Sequence, residues 1–124
     1  MTGRRAARRM ALTLLYQWDV TGKPLGSLYE GEIDPFAREL ADGVAEQADD
    51  LDRRISENTI DWTADRLGAL ERNILRIGLY ELDRGDVPVE VAIDEAVSLA
   101  KRFASEDAGR LVNGVLGRIA RETV

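Results

Sequence analysis

The stretch "VPVEVAIDEAVSLAKRFASEDAGRLVNGVL", residues 87–116, decides the fold class. Ile93, Ala96, Val97, Ala100 and Phe103 recur at i, i+3, i+4, i+7 and i+10, one stripe of a 3.6-residue helix turned toward a core. Ser105 then stands where a helix N-cap belongs. Glu106 and Asp107 follow in the first turn, where the helix dipole favours acids. Ala108, Leu111, Val112, Val115 and Ile119 repeat the apolar pattern for a second helix. Nothing in the chain alternates with period two for long enough to make a sheet. The expectation is an all-α protein, a bundle of about six to seven helices in one domain spanning residues 1–124.

Upstream, "DWTADRLGALERNILRIGLYELDRGDVP" at 61–88 carries a core stripe of Leu67, Leu70, Ile74, Ile77 and Gly78. Arg72 and Arg76 sit one turn apart on the other side, and Gly85 and Pro88 end the helix. Glu81 falls back among the apolar positions. A carboxylate there needs a hydrogen-bonding partner, because an unpaired buried charge is costly, so its expected role is structural. Further upstream, Asp34 reads as an N-cap with Pro35 at the first helical position. Phe36, Leu40, Val44, Leu51 and Ile55 keep helical spacing, which fits two helices or one bent at Gly43. The acid run "DDLD" at 49–52 reads as a solvated face, and the Gly- and Pro-punctuated segment 19–35 as a connecting loop.

The first helix has an unusual charge. "GRRAARRMALTLLYQW", residues 3–18, holds four arginines and no acid in a chain of formal net charge −6. Ala7, Met10, Ala11, Leu14, Leu15 and Trp18 make its core stripe. At 100° per residue Arg5, Arg9, Leu12 and Tyr16 fall on the opposite side, with Arg8 on the flank. This face is basic at its start and apolar-aromatic at its end. It reads as a contact surface; the alternatives are that the arginines are a solvated terminus, basic by chance, and that a second layer of the protein covers Leu12 and Tyr16. In the last helix, Gly109, Asn113 and Gly117 lie at i, i+4 and i+8 beside Arg110. That bare strip admits close approach, by a helix of the same chain or by a ligand such as RNA.

Composition narrows the chemistry. The chain has 124 residues, 44% hydrophobic and 32% charged, an ordinary globular balance. It has no cysteine and no histidine, which removes disulfides, thiolate metal sites, the commonest general base and the commonest zinc ligand. No phosphate-binding Gly-rich loop is present. Asp94 and Glu95 are adjacent on a helix and point in different directions, so they read as surface charges. The expectation is a binding protein and not an enzyme, with no catalytic residues, no metal and no cofactor. No apolar run approaches the roughly 18 residues of a membrane span. The first apolar stretch is interrupted by Thr13, Gln17 and Asp19 with no small-residue cleavage site after it, so no signal peptide is expected and the expected location is the cytoplasm.

Four blocks, "ARRMALTLLYQW", "ALERNILRIGLYEL", "VPVEVAIDEAVSLAKRF" and "SEDAGRLVNGVL", resemble in this order the bacterial transcription antitermination NusB family. The tract from Val87 to Leu116 is the most specific, and residues 20–61 are not diagnostic. The resemblance implies an all-helical fold in two helical subdomains and no cofactor. It implies a heterodimer with the ribosomal protein NusE that binds single-stranded boxA RNA of ribosomal RNA leader transcripts. It further implies a place in an antitermination complex on RNA polymerase, with self-association as a homodimer in some members.

Position by position, Arg4, Arg5, Arg8 and Arg9 match the family's arginine-rich, RNA-contacting start. Arg76, Asp107, Arg110 and Asn113 match positions at or near its RNA surface. Tyr16 and Glu71 match partner-binding positions, and Leu12 joins them from the reading of the first helix. Asp94 stands where Asn is usual, Leu111 where Phe is usual, and Ala104 where Gly is common. Three other readings stand beside this one: a helical protein–protein module without RNA, an accessory domain of the kind fused ahead of RNA cytosine methyltransferases, and a double-stranded DNA binder. The end at Val124 and the lack of a recognition-helix pattern favour a free-standing RNA-binding protein.

Overall fold

The computed structural model describes residues 3–59 and 67–122. Among them are five α-helices and no strand: α1 Arg4–Thr21, α2 Pro35–Glu57, α3 Ala69–Arg84, α4 Val89–Phe103 and α5 Glu106–Glu122, with a 3-10 turn at Leu25–Leu28 between α1 and α2. The all-α expectation holds, with five helices among the described residues where six to seven were expected. The segment around Asp61–Arg66 lies outside them.

The helix ends follow the capping chemistry. The Asp34 carboxylate accepts from the backbone N–H of Phe36 at 2.9 Å and of Ala37 at 3.2 Å, with Pro35 at the first helical position. Ser105 Oγ accepts from the N–H of Ala108 at 3.0 Å and starts α5. Gly85 takes φ +69° and returns its N–H to the carbonyl of Glu81, which closes α3. Ala104 closes α4 at φ −121°, a backbone that needs no glycine.

Helix α2 runs unbroken for 23 residues, so this stretch is one helix and not two. The glycine serves a close approach instead. A Cβ at Gly43 would collide with the ring and hydroxyl of Tyr80 on α3, which lies across α2 at that point.

Helix α3 is the axis of the bundle. Asn73 through Glu81 are all buried, nine residues in succession, because α3 is packed by α1 and α2 and by α4 and α5. A helix covered on every side has no solvent face to spend on charge, so its polar residues must pair internally. Leu15, Leu40, Leu51, Ile74, Ile77 and Leu116 are almost wholly excluded from water. Each such side chain contributes about 1.5–3 kcal/mol on burial. Among the described residues no helix is long and apolar enough to cross a membrane.

Candidate nucleic-acid interface

The four arginines of α1 go to three different places. Arg4 lays its guanidinium over the Phe36 ring of α2, 4.5 Å from the centroid. Arg8 turns inward and is 3% exposed. Its Nε and Nη2 each donate to a Glu81 carboxylate oxygen at 2.8 Å. The hydrogen bonding to Glu81 raises the Arg8 pKa above its ordinary value, against the lowering effect of burial. Arg8, expected from the resemblance to contact RNA, is here one half of a buried ion pair. Glu81 is the structural carboxylate its position required.

Arg5 and Arg9 line a groove between α1 and α4, two helices that both pack on α3. Arg8 and, from α4, Glu95, Ser98, Leu99, Arg102 and Phe103 complete it, around a cavity of about 120 Å³. Glu95 Oε1 accepts from Arg5 Nε at 3.1 Å, and its other oxygen lies 3.8 Å from Arg8 Nη1. Arg9 and Phe103 also border a second cavity of about 160 Å³, lined with them by Leu12, Thr13, Tyr16 and Leu70. The basic groove and the apolar cavity are thus neighbours along α1.

Tyr16 is exposed on the rim of this apolar cavity. Leu12 is buried, so it forms the floor where an exposed contact was expected. Leu70 closes the cavity from α3, and Glu71, half-buried, follows it in the first turn of that helix. Phe103, expected in the core, is instead 40% exposed at the junction of the two cavities. Its position at the last residue of α4 leaves no further turn of helix to cover it.

Arg76 also departs from its expected surface role. It is 5% exposed and donates to both oxygens of Asp52 on α2, at 2.7 and 2.6 Å, and to Asp19 of α1 at 3.1 Å. Asp19 accepts in addition from Arg72 at 2.8 Å and Asn73 at 2.9 Å. Burial alone would raise the Asp19 carboxyl, but the hydrogen bonds from Arg72 and Asn73 and the two arginine charges hold it below its usual range. This network ties α1, α2 and α3 together. It also corrects the acid run at 49–52: Asp52 faces inward, while Asp49 and Asp50 are exposed.

Asp107, Arg110 and Asn113 are exposed on α5, and Asp107 pairs with Arg110. Arg110 borders a separate cavity with Asn58, Thr59, Leu111, Gly114, Val115 and Arg118, away from the arginine groove. The glycine strip is partly filled from within: a Cβ at Gly109 would come 2.8 Å from Lys101 Cγ of α4. Close approach at Gly109 is therefore made by the same chain. Three groove residues, Ser98, Arg102 and Phe103, were missed as contacts. Their signal was the polar run Glu95, Ser98 and Arg102 at i, i+3 and i+7 on the solvent side of α4. Among the described residues no group of three or more acidic, histidine or cysteine side chains is arranged to hold a metal ion.

Comparison with known proteins gives a consistent result. The NusB family model matches residues 5–121. The transcription antitermination protein NusB of Bacillus subtilis is 42% identical over 122 residues, covering 94% of this chain and 93% of the relative. The solved T. maritima NusB superposes with a TM-score of 0.86 at 35% identity, covering 98% of this chain and 92% of that one. A crystal structure of the antitermination factors NusB and NusE in complex with double-stranded RNA matches with a TM-score of 0.83 at 31% identity, over 96% of both chains.

Proposed function

The chain belongs to the NusB family, and from that premise we propose that it acts in transcription antitermination. With the ribosomal protein NusE it binds boxA RNA of ribosomal RNA leader transcripts and helps assemble the antitermination complex on RNA polymerase. Its work is binding and not catalysis, carried out in the cytoplasm by one domain. The observation that carries this reading is the adjacency on α1 of a basic groove and an apolar cavity with Arg9 and Phe103 in common. Arginine's planar, permanently charged fork suits phosphate. An exposed tyrosine above an apolar floor suits a protein side chain.

The RNA contacts in this reading are Arg4, Arg5 and Arg9, with Asp107, Arg110 and Asn113 of α5 as a further surface. Tyr16 and Glu71 meet the protein partner, supported from beneath by Leu12. Arg8 and Arg76 act through the fold, since their guanidinium groups are held by Glu81, Asp52 and Asp19. A partner seated on the apolar cavity would extend the surface offered to RNA. Each ligand would then tighten the other by the same factor.

The test is an anisotropy titration of labelled boxA RNA with this protein, alone and with NusE, at two salt concentrations. A boxA duplex and a scrambled single strand run in parallel. The expected result is salt-dependent binding of the boxA single strand that the partner tightens. Equal affinity for the scrambled strand, or no binding in either case, overturns the reading.

A further inference from the structure

We propose that Arg9 and Arg102 form the phosphate clamp of the α1/α4 groove, with Arg5 a weaker contact at its edge, shared with Glu95, and Arg8 committed to Glu81 inside the fold. The inference rests on the RNA-binding reading and names which cations of this groove do the binding. It follows from charge accounting around one cavity. Arg8 is neutralised by Glu81 through two hydrogen bonds of 2.8 Å. Arg5 is exposed and shares Glu95, at 3.1 Å, with Arg8. Arg9 and Arg102 line the same groove from opposite walls, α1 and α4, and neither has a carboxylate partner among the described residues.

Two guanidinium groups without carboxylate partners, lining one cavity of about 120 Å³, make a site for one anion of phosphate size. The Ser98 hydroxyl on the α4 wall adds a hydrogen-bond donor. Arg102 also lies 5.4 Å from the centroid of the Phe103 ring, which restrains it at the groove's edge. Glu95 gives the site its polarity. Its carboxylate sits on the Arg5 side and repels a phosphate toward Arg9 and Arg102.

The inference separates residues that the sequence treats alike. Arg5 and Arg9 share one face by helical periodicity, yet only Arg9 is electrostatically unspent. Arg102 belongs to a helix whose arginine carried no expectation at all.

The experiment is a titration of labelled single-stranded boxA RNA with wild type, Arg102→Ala, Arg102→Lys and Arg53→Ala across a series of salt concentrations. Arg53 is an exposed α2 arginine paired with Asp50 and Glu57, so its loss changes net charge equally without touching the groove. Circular dichroism checks that each variant is folded. Arg102→Ala is expected to raise Kd about tenfold and to flatten the log–log salt slope by about 0.7, the effect of one lost phosphate contact. Arg102→Lys should keep the slope and recover part of the affinity, because it keeps the charge and loses the fork. Arg53→Ala should match wild type. Wild-type affinity and slope in Arg102→Ala overturn the clamp while leaving RNA binding intact. Equal losses in Arg102→Ala and Arg53→Ala overturn it as a general charge effect. A wild type that does not bind overturns both readings.

Discussion

Arg8 and Glu81 are joined by two hydrogen bonds across α1 and α3, and both are almost fully buried. Cutting such a pair on one side leaves a charge in a low-dielectric site with no partner, whereas replacing both groups with apolar ones removes the desolvation cost as well. Arg8→Ala is therefore expected to lower unfolding stability by about 3 kcal/mol or more, and Arg8→Met with Glu81→Leu to recover most of it. Urea denaturation of the three proteins measures this. A single-variant loss under about 1 kcal/mol would show that water or a rearranged neighbour reaches Glu81. The adjacent residue, Arg9, has the opposite fate. Consecutive positions on a helix are 100° apart, so one arginine enters the core and the next lines the groove.

At the scale of the helix, two glycines make opposite predictions from the same substitution. Propensity alone says that Gly→Ala inside a helix stabilises by about 1 kcal/mol. At Gly114 a Cβ meets nothing within 4 Å, so Gly114→Ala should deliver most of that gain. At Gly43 a Cβ would overlap the Tyr80 ring, and that ring is itself buried. Gly43→Ala should destabilise by about 1–3 kcal/mol through overpacking. Thermal unfolding of the pair decides it. A stabilised Gly43→Ala would mean that α2 and α3 can separate without loss. Gly43 thus serves the approach of α2 to α3, within one unbroken helix.

Across the whole molecule, Asp19 is the point where α1, α2 and α3 are electrically joined. It accepts from Arg72, Asn73 and Arg76, and Arg76 in turn holds Asp52. Because the folded-state carboxyl lies below its ordinary value of 3.8, the unfolded chain takes up the proton first as pH falls. The stability that Asp19 contributes is complete above the unfolded pKa and is lost as pH drops through the folded one. Acid unfolding should therefore steepen below about pH 4. Asp19→Asn should flatten that limb and be less stable than wild type at neutral pH. Denaturation series from pH 2.5 to 7 measure both. An acid limb unchanged by Asp19→Asn would assign it to other carboxylates.

The sequence by itself determined the helices, their caps and the family. Periodicity, an N-capping Asp34 or Ser105 and a closing Gly85 are local properties, set within a few residues by hydrogen bonding and burial of one stripe. It also implied that Glu81 needed a partner, because a carboxylate among core positions has no other way to be stable. Only the tertiary structure decided which arginines are spent. Arg8 and Arg76 became internal ties because α3 is covered on every side, so its Glu81 and the neighbouring Asp19 and Asp52 needed cations from within. Arg102 joined Arg9 because α4 packs on α3 beside α1, and Phe103 stayed exposed because α4 ends there. A charge's partner depends on which helices meet, and that distance is a property of the packed bundle rather than of spacing along the chain.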